Sequence, residues 1–184
     1  MQQHQYRLEN RNYGILIKYP SEWSVQESKS SGELINVATF LSSTGSPYPT
    51  AAVAIFMDRL HNSTTNLNSY AHFVAFTDYE NRPSYFHAFR LLELNTNSLI
   101  LAGKPAYTLI GTYQDRGLQK LMEIGTIIGD KAYSIQYIAD AAIGLMTLAN
   151  PGIEGVPLTI WSHQNHGAFL QDLGLRMYFG LNQM

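Results

Sequence analysis

His163 and His166 stand three residues apart, a spacing that sets two imidazoles side by side on one helix face. With a carboxylate from Asp172 or Glu154 the pair could ligate zinc, which takes nitrogen and oxygen donors in a tetrahedral site. That arrangement would suit a metal-dependent hydrolase. The same two histidines equally suit exposed polar positions near a helix start. A second group is aromatic. The chain carries 12 tyrosines, and Tyr79, Tyr85, Phe86 and Phe89 cluster within one short stretch. Aromatic side chains are favoured at interfaces, where they bury large areas, so this cluster could face a protein partner. Aromatics beside a sheet also commonly pack onto it.

Other chemistries lack their signatures. There is no G-x-S-x-G elbow, no H-E-x-x-H, no G-x-x-x-x-G-K-[ST] and no strand followed by G-x-G-x-x-G. His61, His72 and His87 are isolated and read as surface or boundary residues. No two acids stand out as a glycosidase pair. No catalytic residue is therefore assigned. The expectation is a non-enzyme with no cofactor, apart from a metal ion should His163 and His166 bind one.

Composition narrows the partners. Charged residues make up 14% of the 184 residues and the net charge is −2. The basic patch or high pI expected of a nucleic-acid binder is missing, so no nucleic-acid partner is expected. With no cysteine, disulfides, thiolate catalysis and cysteine metal sites are excluded. No run approaches the roughly 18 apolar residues of a membrane span. The residues Met1-Gln2-Gln3-His4-Gln5 lack a basic stretch before an apolar core, so no secretion signal is expected there. Asn62-Ser63-Thr64 fits a glycosylation acceptor in a loop.

The elements that must position these groups follow from periodicity. Ile15, Ile17 and Tyr19 alternate up to Pro20, and Trp23 and Val25 continue the pattern beyond a turn. Leu34–Leu41 and Ala51–Leu60 are further strands, the latter apolar enough for burial on both faces. The period then changes. Leu67, Tyr70, Ala71, Val74 and Thr77 have helical spacing, with Thr64 and Thr65 as hydroxyl caps and Pro83 beyond the end. Phe86–Leu94, Ala106–Tyr113, Leu118–Ile128 and Tyr133–Asp140 return to strands. The break at Asn95-Thr96-Asn97 and the turns at Gly103-Lys104-Pro105, Gln114–Gly117 and Gly129-Asp130 separate them. Short turns mean antiparallel neighbours, so the fold class is α+β, an antiparallel sheet covered by helices. Residues 6–140 form the core. Residues 141–184 are expected to be a C-terminal helical segment, with one helix over Ala141–Ala149 and another over His163–Gly180.

Three motifs in order resemble the PsbP-like family. They are Tyr13-Gly14-Ile15-Leu16-Ile17-Lys18-Tyr19-Pro20-Ser21-Glu22-Trp23, then Leu101-Ala102-Gly103-Lys104-Pro105-Ala106-Tyr107, then the hairpin strand from Gly129 to Asp140. The resemblance spans residues 6–140. It implies an antiparallel sheet layered with helices, in an α/β/α sandwich. It also implies a binding or assembly role at a membrane complex, as in the extrinsic photosystem II proteins, and an extracytoplasmic setting. The same broad fold occurs in a nuclear Ran-GTPase release factor. Fold alone does not carry function across that range.

Overall fold

The computed structural model describes residues 5–21, 23–27, 34–42, 51–61, 65–80, 86–101, 103–141 and 176–179. Its ten strands are β1 (Gln5–Asn10), β2 (Ile15–Pro20), β3 (Trp23–Glu27), β4 (Leu34–Ser42), β5 (Ala51–Arg59), β6 (His87–Leu101), β7 (Lys104–Asp115), β8 (Gly117–Ile128), β9 (Lys131–Asp140) and β10 (Arg176–Phe179). Helix α1 covers Leu67–Phe73 and runs directly into a π-helical segment, Val74–Glu80.

Seven strands form one antiparallel sheet in the order β3-β4-β5-β9-β8-β7-β6. Three more form a small antiparallel sheet in the order β1-β2-β10. This is the antiparallel α+β class that period-two patterning and short turns predict. Two hairpins show how the turns set it. Gly129 adopts φ +64° at the first central position between Ile128 and Lys131, where a side chain would be strained. Gly103, at φ +74°, serves the same purpose before β7.

The two faces of the large sheet bury different things. On one face Val53, Ile55 and Met57 of β5 lie beside Tyr137, Ile135 and Tyr133 of β9, followed by Met122 and Ile124 of β8. The small sheet covers this face with Leu8, Ile15, Ile17 and Tyr19. The Tyr133 hydroxyl donates to the Tyr13 carbonyl at 3.1 Å and ties the two layers. On the other face Tyr107, Leu109, Tyr113 and Leu121 meet Tyr70, Ala71, Val74, Ala75 and Tyr79 of the helix. One side of the sheet is thus covered by strands and the other by a helix.

Three expectations need correction, and one strand had no counterpart among them. The helix cap is Asn66, whose side chain accepts from the Ser69 amide at 2.8 Å, and not Thr64 or Thr65. Asn66 sits immediately before the first apolar residue, Leu67, where a short side-chain oxygen can reach the free amides. The sixth strand does not stop at Asn95. It continues to Leu101, and its polar stretch becomes a register irregularity between Asn95 and Leu99. Gln5–Asn10, which lacked a strong apolar pattern, is a strand because β2 offers it an edge. Arg176–Phe179 is not the end of a helix. It pairs antiparallel with Lys18–Ile15 of β2, so the end of the chain joins the small sheet. Apart from Ala141, the segment expected as a helix over Ala141–Ala149 lies outside the described residues, as does the start of the His163–Gly180 segment.

Ile17 is fully buried between the layers. Replacing it with Ala is expected to cost about 2–5 kcal/mol through lost burial and a cavity, measured by urea unfolding. Asn66→Ala should cost about 1 kcal/mol in the same assay.

Candidate functional site

The chemistry gathers under the helix, on the face of the large sheet that carries Glu123. Alternation along β8 sends Met122 and Ile124 to the small sheet and Leu121, Glu123 and Gly125 to the helix side. Glu123 is 2% exposed. Its carboxylate accepts from the Tyr79 hydroxyl at Oε2 and from the Tyr107 hydroxyl at Oε1. Gln136 of β9, directly opposite Glu123, donates its amide to Oε2 at 2.9 Å and to the Tyr79 oxygen at 2.7 Å. One shell further out, the Tyr70 hydroxyl donates to Asp58 Oδ2 at 3.1 Å.

Each donor is placed by local structure. Gly125 lies opposite Tyr107 on the paired strands. A Cβ there would stand 2.4 Å from the Tyr107 ring, so the missing side chain lets the ring lie across the sheet toward Glu123. Gly111 does the same for Phe89, whose ring would stand 2.4 Å from an added Cβ. Phe89 then stacks on Tyr79 with centroids 5.0 Å apart, and Phe86 meets the same ring edge-on at 4.7 Å. Tyr79 belongs to the π-helical segment, five residues after Val74, and both residues are buried against the sheet.

The electrostatics follow from burial, with no cation beside the carboxyl among the described residues. Burial pushes the Glu123 carboxyl above the usual carboxylate range, against the hydrogen bonds from Tyr107, Tyr79 and Gln136, and the nearby Asp78 adds to the rise. Burial also raises the Tyr79 and Tyr107 hydroxyls, with Glu123 the next largest cause, so both stay protonated donors. The Tyr70 hydroxyl is raised by burial and then by Asp58. A carboxyl with a raised pKa is a recognised mark of a functional position, although structural networks produce it too.

The residues singled out from the sequence fall in several places. Tyr79 is 2% exposed and faces inward, so it forms part of the buried network and not of the surface. Phe86 and Phe89 are half-buried and pack on it. Tyr85 lies outside the described residues, as do His163, His166, Glu154, Asp172 and the Asn62-Ser63-Thr64 triplet. Among the described residues no three His, Asp or Glu side chains could hold a metal ion together. Sequence reasoning passed over Glu123. The available signal was a lone acid inside the apolar run Leu121-Met122-Glu123-Ile124.

No protein-family model matches the chain, and no curated protein matches it by sequence. Solved structures do match in fold. The chain has a PsbP-like fold, shared with two proteins of distant sequence. One is the cyanobacterial PsbP (CyanoP) from Synechocystis sp. PCC 6803, with TM-score 0.60 at 13% identity over 81% of this chain and 88% of that one. The other is the Saccharomyces cerevisiae Ran-binding protein Mog1p, with TM-score 0.54 at 8% identity over 94% of each chain.

Tyr107→Phe removes a donor to a buried carboxyl oxygen and should cost about 1–3 kcal/mol by denaturant unfolding. Gly125→Ala should displace the Tyr107 ring and cost a similar amount, about 1–3 kcal/mol. The double variant should cost less than the sum, because both act on the same bond.

Proposed function

We propose that the chain is a non-catalytic protein-binding module that offers the outward face of its helix to a partner. The observation that carries this reading is an aromatic stripe in water. Phe73 is 49% exposed and Phe76 is 42% exposed. His72 stacks on Phe76 with ring centroids 5.8 Å apart and planes 5° from parallel. The outward face of a helix packed on a sheet is ordinarily polar, and aromatic side chains left there favour association.

The likeness to Mog1p, described as a Ran-binding protein, supports a binding role for this fold. The likeness to cyanobacterial PsbP is one of fold, and the finer reading of an assembly role at a membrane complex rests on what the PsbP-like sequence motifs imply. No helix among the described residues is long and apolar enough to cross a membrane.

The test is capture from membrane and soluble extracts with wild-type protein and a Phe73→Ser, Phe76→Ser double variant. One stoichiometric partner is expected for the wild type, with affinity reduced at least about tenfold in the variant, since losing two interface anchors typically exceeds 1.4 kcal/mol. Equal binding by both proteins would move the interface elsewhere.

A further inference from the structure

We infer that Glu123 is a proton-controlled latch for the helical segment 74–80: the protonated carboxyl holds the segment closed on the sheet, and loss of the proton favours its release. The inference goes beyond partner binding and can be tested on the isolated protein.

The geometry supplies each part. Glu123 is held in the middle of the large sheet, under the helix and away from water. The groups facing it come from every element packed there. They are Tyr70 from α1, Asp78 and Tyr79 from the π-helical segment, Tyr107 from β7 and the neutral Gln136 from β9. Asp58 of β5 stands behind Tyr70. Among the described residues each of these is acidic, phenolic or neutral, and none is a cation. Buried carboxylates are ordinarily met by a Lys, Arg or metal ion. Here an ionised Glu123 would have only dipoles, with Asp78 adding like charge. The protonated form carries no such cost: Oε1 still accepts from Tyr107, and a proton on Oε2 meets the Tyr79 oxygen, which accepts in that state where it donates to the ionised carboxylate.

Tyr79 reaches the carboxyl from the helix, whereas Tyr107 and Gln136 reach it from the sheet. Strands β7, β8 and β9 are tied into the sheet by continuous backbone pairing, so Tyr107 and Gln136 cannot leave without breaking it. Tyr79 is carried by the π-helical segment, whose backbone bonds are internal to the helix. Lifting that segment brings water to the carboxyl without disturbing the sheet.

The sign follows from linkage. The closed-state pKa of Glu123 lies above that of the water-exposed group. Its contribution to closure is therefore complete below the exposed pKa and is lost as pH rises through the closed-state value. Within that window one proton leaves per opening, so the opening equilibrium should grow up to about tenfold per pH unit.

Hydrogen exchange across pH 5–8, corrected for intrinsic amide rates, tests this on the wild type and on Glu123→Gln. In the wild type, protection of the amides of residues 74–80 should fall with pH while that of β8 and β9 holds. In Glu123→Gln, which keeps the shape without the charge, protection should be independent of pH. A wild type with constant protection, or a variant that keeps the pH dependence, overturns the latch. Carboxyl-carbon NMR of Glu123 in the wild type gives a reading that does not depend on the variant's folding. A midpoint above the ordinary range, coincident with the loss of protection, supports the latch, and an ordinary midpoint overturns it.

Discussion

A carboxylate placed inside a protein must be met by hydrogen-bond donors, and in this fold that requirement shapes everything on the helix side of the large sheet. Glu123 is answered by two phenols and one amide from three different elements. Tyr107 reaches it only because Gly125 leaves the sheet surface bare beneath its ring. Tyr79 reaches it from a π-helical turn and is steadied by Phe89 stacked on its ring and Phe86 edge-on to it. The position of the helix is thus set by polar chemistry as well as by apolar contact. A helix resting on apolar residues alone could slide with little penalty, whereas one hydrogen-bonded to a buried acid cannot.

The opposite face works by different means. Ile15, Ile17 and Tyr19 of the small sheet interleave with the alternating apolar residues of β5, β8 and β9. Two side-chain hydrogen bonds lie on this side among the described residues. The Tyr133 hydroxyl meets a carbonyl of the first hairpin, and the Thr126 hydroxyl donates to the Pro105 carbonyl at 2.7 Å. The same strands therefore carry an apolar interface on one side and a hydrogen-bonded one on the other. Period-two alternation keeps the two separate.

Much of this was legible in the residue order. Tyr107, Leu109 and Tyr113 share a face as their spacing indicates, and so do Met122 and Ile124, and Tyr133, Ile135 and Tyr137. These strands are long, and glycine-bearing turns punctuate them, so local pattern suffices. Gln5–Asn10 and Arg176–Phe179 did not announce themselves, because each is a strand only by pairing with β2. Phe169, Leu173 and Met177 even carry helical spacing. The buried site was hidden for a related reason. Its four members lie at positions 79, 107, 123 and 136, and only the strand register and the seating of the helix bring them together. A lone glutamate in an apolar run was visible, but its partners were not.

The outermost strand of the large sheet has a bearing on the protein's behaviour in crowded solution. β6 runs for 15 residues and, among the described residues, has β7 as its only neighbour. A straight strand of that length would offer a ladder of open amides and carbonyls to any passing chain. Three breaks in register interrupt it, and Ala88 turns the backbone to φ +51° near its start. Each break shifts the rhythm of donors and acceptors, so an incoming strand could match only a few residues before falling out of step. Among the described residues, the irregularities of β6 thereby blunt an edge that would otherwise favour fibre-like stacking of copies.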